Sequence, residues 1–277
     1  MLFKGDKGRR VALFFWTFED IIMTDKNLQD LKAGDPHYKA FVGPPLKYDL
    51  LGALQFSLLS AAGLRADHKL CDIGCGSLRV GKLLIPYLNA DNYFGLEPEK
   101  WLIEVAIDKE IGQDLINLKR PRFDHWTNFE ISKFETKFKF ILAQSIFSHA
   151  NLNQIIQCLK EARQCLDSDG LFLATFIWGK EDYEGDDWVY PGCVAYRPSS
   201  IKKKAWDEAG LKMLTTDWPH PNGQNWVIFH LPGHELEAEK VSRFSLDKFE
   251  ADVVAIPEKK VRSLKRYTNK VIDLFKK

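Results

Sequence analysis

The sequence lacks paired cysteines, long apolar runs and a net charge, and each absence excludes a class of protein. No CxxC pair occurs among its five cysteines, so neither a disulfide framework nor a zinc site is indicated, and we expect reduced thiols in a cytoplasmic protein. The net charge of +1 gives no electrostatic reason to expect nucleic acid as a partner. The early apolar run at 11–16 is far shorter than the roughly 20 residues of a spanning helix, and no small-residue cleavage site follows it. We therefore expect neither a transmembrane segment nor a signal peptide.

The chain is long enough, at 277 residues, for one large α/β domain with extensions. We divide it into an N-terminal extension (1–45), a central ligand-binding domain (46–235) and a C-terminal extension (236–277). Residues 259–277 carry eight basic side chains and one acid, with apolar residues at helical spacing. This pattern predicts a basic amphipathic helix that contacts a membrane surface or a protein partner or, as we favour, packs on the domain.

The stretch KLCDIGCGSLRVG, residues 69–81, organises the rest of the chain. Its apolar start predicts a buried strand over 70–73, and Gly74 and Gly76, on either side of Cys75, predict a tight turn. Apolar residues at helical spacing follow the turn. A strand, a glycine turn and a helix form the first unit of a doubly wound α/β sheet, and ligands bind at that turn.

Two acids define what this turn can bind. A dinucleotide fingerprint needs a third glycine three residues after the second, but Arg79 stands there. Asp72, at the end of the first strand, would repel a pyrophosphate and suits a cationic ligand. The next predicted strand, 93–96, ends in Glu97 and Pro98, and a carboxylate at that tip can accept hydrogen bonds from both hydroxyls of a ribose.

Further strands and helices follow from the apolar periodicity. Helices are predicted over 48–62, 100–112 and 151–166, and from Ser199 or Ser200 to Glu208. The remaining strands are predicted at 122–126, 138–143, 170–176, 211–216 and 225–231. The last two strands read as a terminal antiparallel pair.

At this point the chain resembles the class I S-adenosylmethionine-dependent methyltransferases. The motif 72–76, DIGCG, the acid Glu97 and the fourth and fifth strands carry the resemblance, whereas Leu78 departs from a third glycine that many members have. The resemblance implies a Rossmann-like, doubly wound, mostly parallel seven-stranded sheet with an antiparallel last strand, flanked by helical extensions at both termini. It also implies S-adenosyl-L-methionine as cofactor and methyl transfer as the reaction.

The resemblance assigns cofactor contacts residue by residue. The glycine turn would approach the methionine part, Asp72 would accept from its ammonium group, and Glu97 would hold the ribose. Side chains after the third strand would contact adenine, and the end of the fourth strand would carry ligand contacts. The cofactor-binding set is Asp72, Gly74, Cys75, Gly76, Glu97, Pro98, Asn128, Phe129 and Gln144.

His149, just past the fourth strand, is the best-placed candidate for a catalytic base, and its rival role is packing near Asn151. The acidic, aromatic stretch 178–196 is the candidate substrate loop, and its carboxylates match no calcium loop, so we expect no metal. No Asn-Pro-Pro-Tyr motif follows the fourth strand, which argues against amino-methylating nucleic-acid enzymes. A small molecule or glycan, methylated at a hydroxyl, is the expected acceptor.

Two alternatives remain open from the sequence. A nicotinamide-dependent oxidoreductase is disfavoured by Arg79 in the turn and by the terminal strand pair. A non-catalytic adenosyl-binding protein that uses its C-terminal helix for a partner is disfavoured by the intact acids and glycines, which predict cofactor binding but not turnover.

Overall fold

A computed structural model describes residues 28–243 of the chain, with the side chains at 236 and 237 excepted. Seven strands form one sheet in the order β3-β2-β1-β4-β5-β7-β6. All neighbours pair in parallel except β7, which runs antiparallel to both β5 and β6. The strands are β1 Leu70–Ile73, β2 Tyr93–Leu96, β3 Arg122–Asp124, β4 Phe138–Ala143, β5 Leu166–Phe176, β6 Lys212–Thr216 and β7 Asn225–His230.

Helices cover both faces of this sheet, and α-helices connect all its consecutive parallel strands except β3 and β4. They are α1 Tyr38–Phe41, α2 Tyr48–Ala61, α3 Gly81–Tyr87, α4 Lys100–Ala106, α5 Gln113–Lys119, α6 Leu152–Cys165, α7 Pro198–Ala209 and α8 Glu235–Ser242. Short 3-10 turns lie at Leu28–Asp30, Pro45–Lys47 and Ile131–Phe134, and a π-helical turn, Ile107–Ile111, extends α4.

The core consists of two apolar layers, one on each face of the sheet. In β4, Phe140 and Leu142 belong to one layer, whereas Ile141 and Ala143 belong to the other. All four side chains are at most 1% exposed, because a central parallel strand is buried on both faces and its sequence is therefore apolar throughout. This double burial explains why the strand reads as a continuous apolar run.

The predicted fold class is confirmed: the sheet is mostly parallel and Rossmann-like, and its last strand in sequence, β7, is antiparallel and lies between β5 and the edge strand β6. Strands β1, β2 and β4 have the predicted bounds, and α6 begins after Asn151, whose side chain caps it in a capping box with Gln154. This reciprocal pair of hydrogen bonds satisfies amide groups at the start of the helix.

Other boundaries differ from the prediction. The helix after the glycine turn begins only at Gly81, because 77–80 form a further turn. Strand β5 begins at Leu166 rather than at Gly170, and β3 ends at Asp124. Helix α7 is capped by Arg197 with Pro198 at its first position, not by a serine; proline is favoured there because its missing N–H is not needed.

The ends of the chain are only partly described. The predicted basic helix at 259–277 lies outside the described residues, and the division at 45 and 235 stays a prediction. Helix α8 begins at the second of these boundaries and packs Ala238 and Val241 into the apolar layer beside β6 and β7. Within 28–243, no helix is long and apolar enough to cross a membrane.

Candidate functional site

A cavity of about 870 Å³ lies at the carboxyl ends of β1, β2 and β4. This is the edge of an open α/β sheet where ligands bind, and the volume is in the range of ligand pockets, ~300–1,000 Å³. Eight of the residues predicted for the site line the cavity: Gly74, Cys75, Gly76, Glu97, Pro98, Phe129, Gln144 and His149.

The structure does not bring Asp72 or Asn128 into the lining of this cavity. Asp72 is 3% exposed and accepts a hydrogen bond from the Tyr93 hydroxyl at 2.8 Å. Its burial raises the pKa of the carboxyl to about 7. Asn128 is exposed, and Trp126 and Thr127 line the cavity beside Phe129 instead.

The glycine turn depends on both of its glycines. Gly74 and Gly76 have φ angles of +67° and +55°, a region that L side chains rarely adopt. A Cβ on Gly74 would also lie 2.0 Å from the Cδ1 of Ile146. Leu78 adopts φ of 55° as well, so it takes a conformation that a third glycine would take more easily, and burial of its side chain compensates.

Glu97 is held rigidly at the tip of β2. One carboxylate oxygen accepts from the Gly76 amide at 2.9 Å, and the other accepts from the Glu99 amide at 2.9 Å. Burial raises its pKa to about 7 despite these two hydrogen bonds. Since each carboxylate oxygen has two lone pairs, both oxygens can still accept a hydrogen bond from a ligand.

His149 lines the cavity with a defined tautomer. Its Nδ1 lies 2.9 Å from the Val189 carbonyl oxygen and 2.7 Å from the Gly192 carbonyl oxygen. Because carbonyl oxygens only accept hydrogen bonds, Nδ1 carries the hydrogen and Nε2 has the lone pair. Burial lowers the pKa of this imidazole. The ring is therefore neutral at pH 7 and can accept a proton.

Sequence reasoning missed Arg79 as a site residue, because it used this position only to argue against a dinucleotide. Arg79 lines the cavity, and its guanidinium donates from Nη1 to the Val42 carbonyl oxygen at 3.0 Å. Its Nη2 donates to the side-chain oxygen of Gln144. A basic residue inside a glycine turn was the available signal.

A polar network also escaped prediction, because its members come from distant parts of the sequence. The Gln144 side-chain oxygen accepts from Gln55 at 2.7 Å, and its nitrogen lies 2.8 Å from the Nε2 of His220. Burial and the neighbouring Arg79 and Lys47 lower the pKa of His220 to about 4. The hydrogen bonds from Gln55 and Arg79 and the contact with His220 hold the Gln144 side chain in one orientation.

Two segments meet at the cavity and contact each other. The Tyr190 hydroxyl donates to the Phe41 carbonyl oxygen, and the two rings lie 5.6 Å apart. Phe41, Val42, Tyr190 and Pro191 all line the cavity. Trp101, at the start of α4, packs edge-on against Phe41 with the ring centroids 5.3 Å apart.

Comparison with known proteins gives the same class of fold. No protein-family model matches the sequence. A methyltransferase structure from Clostridium acetobutylicum ATCC 824, described as S-adenosylmethionine-dependent, aligns with a TM-score of 0.50 at 14% identity, over 67% of this chain and 92% of that one. The glycopeptide N-methyltransferase MtfA, in complex with S-adenosyl-L-homocysteine, aligns with a TM-score of 0.50 at 11% identity, over 66% of this chain and 90% of that one.

Among curated proteins, the "Uncharacterized methyltransferase YcgJ" of Bacillus subtilis strain 168 is 22% identical over 171 residues. The alignment covers 62% of this chain and 65% of that protein, slightly less than two thirds of its length. Fold and sequence similarity together confirm the resemblance to the class I S-adenosylmethionine-dependent methyltransferases. The antiparallel β7 counts against the oxidoreductase alternative.

Proposed function

We propose that this protein is a class I S-adenosylmethionine-dependent methyltransferase that methylates a small molecule or glycan at a hydroxyl. One observation carries the proposal: the glycine turn and the acid of β2 are joined by the hydrogen bond from Gly76 to Glu97, and both line one cavity. The turn offers bare backbone to a ligand, and the carboxylate offers acceptors to a ribose.

The cavity fits the cofactor that this function requires. Glu97 would hold the ribose through lone pairs that the backbone leaves unused, and Phe129 with Trp126 offers apolar surface for adenine. The compared MtfA structure contains S-adenosyl-L-homocysteine, which supports the same cofactor here. When bound, S-adenosylmethionine supplies a methyl group already activated by a sulfonium cation.

The chain's own residues then have two tasks. The first is to hold the acceptor oxygen in line with the methyl group, and orientation of this kind supplies much of the rate. The second is to remove the hydroxyl proton, for which the lone pair of His149 Nε2 is suited because the ring is neutral and fixed by two carbonyl oxygens. Aromatic side chains around His149, Trp188 and Tyr190 favour a flat or ring-shaped acceptor.

Calorimetric titration of the wild type with S-adenosylmethionine, S-adenosylhomocysteine and NAD tests this function. We expect both adenosyl compounds to bind and NAD not to bind. Glu97→Ala should weaken adenosyl binding by about 10-fold or more, because it removes both oxygens that would accept from the ribose hydroxyls. Glu99→Ala is the matched control: it removes a carboxylate at the same rim but keeps the amide that orients Glu97.

Equal losses in the two variants would contradict the ribose role of Glu97. Binding of NAD without adenosyl binding would overturn the methyltransferase proposal altogether. Adenosyl binding justifies a screen of candidate acceptors with a labelled methyl donor, in which phenols, sugars and small hydroxylated compounds come first.

A further inference from the structure

Gln154, in the first turn of α6, lines the cavity and has an unpaired amide nitrogen. Its side-chain oxygen accepts from the Asn151 amide at 2.9 Å, and because a backbone N–H only donates, this capping contact fixes which end of the side chain is oxygen. The nitrogen, Nε2, has no hydrogen-bond partner within 28–243, but it is not among the buried atoms that lack one. It is therefore accessible to a ligand.

Ser145, directly after β4, supplies a second hydrogen-bond donor to the same cavity. Its Oγ accepts from the amide nitrogens of Gln144 and Gln224, so both lone pairs are used and only the hydroxyl hydrogen is left. The orientation of Gln144 is fixed because its oxygen faces Arg79, which only donates. That of Gln224 is fixed because its oxygen lies 2.5 Å from the Thr175 hydroxyl, a separation found for O–H···O bonds but too short for N–H···O bonds.

At these two atoms the cavity offers hydrogens and no lone pair. A ligand oxygen that only accepts, such as that of a carbonyl or a carboxylate, is fully paired by such donors, whereas a hydroxyl leaves its own hydrogen to be paired elsewhere. Charge disfavours the carboxylate, because Arg79 is the only lysine or arginine that lines the cavity within 28–243 and both its terminal nitrogens are engaged. Four exposed acids also precede Trp188 of the lining: Glu181, Glu184, Asp186 and Asp187. The two donors therefore fit a neutral carbonyl group best.

The surroundings of His149 indicate what bears this carbonyl group. The centroid of its ring lies 5.1 Å from that of Tyr190 and 5.8 Å from that of Trp188, so the proposed base lies among aromatic rings that suit a flat ligand. Burial lowers the pKa of the imidazole, which makes it a weak base. A phenol, with a pKa of about 10 as in tyrosine, gives up its proton to such a base more readily than an aliphatic alcohol does.

We propose that the methyl acceptor is a phenol whose ring also bears a neutral carbonyl group, and that Gln154 Nε2 donates to the carbonyl oxygen. This inference rests on the proposed function and names its acceptor class. Gln154 and Ser145 then hold the carbonyl side of the acceptor, and the hydroxyl is left to His149. The phenolic oxygen gains the methyl group as the carbon–sulfur bond breaks, the bonding pair goes to sulfur, and His149 Nε2 takes the proton.

The test compares acceptors that differ only in the carbonyl group. The three isomers of hydroxyacetophenone place the hydroxyl and the carbonyl at different separations, and the three ethylphenols have a CH₂ group in place of the carbonyl. With labelled S-adenosylmethionine, we expect the wild type to methylate at least one hydroxyacetophenone with a kcat/KM about 3- to 10-fold above that of the matching ethylphenol. This is the range for one neutral hydrogen bond.

Gln154→Glu tests the residue itself, because it keeps the oxygen that caps α6 but places a carboxylate oxygen where Nε2 was. This variant should lose the preference for the carbonyl compound and bind S-adenosylhomocysteine as the wild type does. Asn153→Asp is the matched control: it adds the same charge at the neighbouring position, which is exposed and does not line the cavity, and it should keep the preference. The carbonyl group makes the phenol equally acidic in all three proteins, so acidity does not change the ratio between them.

Two results would overturn the assignment of Gln154: equal kcat/KM values within every pair, which needs no variant to fold, or a preference that survives in Gln154→Glu. Transfer to none of the six compounds by a wild type that binds S-adenosylhomocysteine would overturn the acceptor class and leave the proposed function standing. A wild type that does not bind S-adenosylhomocysteine would instead refute the proposed function, and this inference with it.

Discussion

Among single residues, His149 combines a structural contact with a proposed chemical role. Its Nδ1–H binds two carbonyl oxygens of the 189–192 loop, and its Nε2 has the lone pair. The two roles can be separated, because an asparagine side chain also donates to a carbonyl oxygen but is no base.

We expect His149→Asn to lower the rate of methyl transfer about 100- to 10,000-fold, the range for loss of a general base. S-adenosylhomocysteine should bind as in the wild type. Because burial lowers the pKa of His149, the wild type should lose activity only as the pH falls through values below the usual one for histidine. Rates across pH, measured with the acceptor from the screen, check this; an unchanged acidic limb in the variant would exclude His149 as the base.

Asp72 makes the stability of the protein depend on pH in an unusual direction. Its pKa in the folded protein is raised to about 7, chiefly by burial. The folded state therefore holds a proton that the unfolded state releases, and the stability present at low pH is lost as the pH rises toward neutral. In urea titrations we expect Asp72 to lower the stability of the wild type between pH 5 and pH 7.5.

Asp72→Asn should reduce that difference, since the amide oxygen can still accept from Tyr93 but does not titrate. Asp91→Asn is the control: Asp91 is exposed and paired with Arg120, which lowers its pKa, so this change should leave the decline between the two pH values unaltered. If the Asp72 variant declined as steeply as the wild type, the pKa of Asp72 would not be raised.

The site residues differ in whether a few consecutive residues of the sequence are enough to predict them. Gly74, Gly76 and Glu97 were predictable, because a turn and a strand tip are visible in a few consecutive residues. Arg79 had a local signal, a basic residue inside the glycine turn, but its contacts with Val42 and Gln144 are visible only after folding. Asn128 is exposed and does not line the cavity; the sequence shows its distance from the strand but not the direction of its side chain.

At the level of elements, the contact between the 33–44 and 188–193 segments covers one side of the cavity. Besides the hydrogen bond from Tyr190 to Phe41, Pro191 packs on Gly34, where a Cβ would lie 2.9 Å from the proline Cβ. Both segments line the cavity. We therefore expect this contact, between residues about 150 positions apart in sequence, to slow the escape of a ligand from the cavity.

Tyr190→Phe removes only the hydroxyl of this contact and keeps the ring. We expect S-adenosylhomocysteine to dissociate about 2- to 10-fold faster, the equivalent of one neutral hydrogen bond, with little change in melting temperature. Stopped-flow displacement measures the rate. Trp206→Phe, an exposed change on α7, serves as control; an equal rate in both variants would mean that the contact does not retain the ligand.

Strands and helices were predictable where burial of a face gives their apolar residues a regular spacing in the sequence. Strand β4 and helix α6 were found because their apolar residues face defined layers of the core. Helix α5 was missed, and none of its residues is buried, so it has no apolar stripe to read. The π-helical turn at Ile107–Ile111 also lacks a sequence signal, because it differs from an α-helix by one hydrogen-bond register.

At the scale of the whole molecule, Glu110 connects α1, through Tyr38 and Lys39, to α3, through Lys82. Its carboxylate lies 3.1 Å from Lys39 and 2.9 Å from Lys82 and accepts from the Tyr38 hydroxyl at 2.7 Å. Both ammonium groups also lie 5.0 Å from the centroid of the Tyr48 ring. The Glu110 side chain is only 13% exposed, so its charge is poorly replaced by water.

We expect Glu110→Gln to lower the free energy of unfolding by about 1–3 kcal/mol, because two cations then share a site without their main anion. Asp49→Asn removes the other acid of the cluster, which is 68% exposed, and should cost at most about 1 kcal/mol. Urea denaturation compares the two. Equal effects would mean that burial does not strengthen the Glu110 contacts.

The topology as a whole was predicted because a strand followed by a glycine turn and an acid at the next strand tip occur together in few folds. The packing of 33–44 at the cavity was not predictable, because that segment has little periodicity and the residues that contact it there, Arg79 and Tyr190, are distant in sequence. The sequence patterns therefore predicted the strands and the glycine turn of the site. They did not predict that the segment 33–44 packs at the cavity.

The position of β7 in the sheet has a consequence for synthesis of the chain. Within 28–243, strand β6 pairs only with β7. Strand β7 also pairs with β5, on the side of β5 opposite β4. A nascent chain that has not yet reached Asn225 therefore exposes the edge of β5, and β6 has no neighbour to pair with. Exposed strand edges recruit other chains, so ribosomes that stall between 216 and 225 should release products that aggregate, whereas those that pass His230 release a complete sheet.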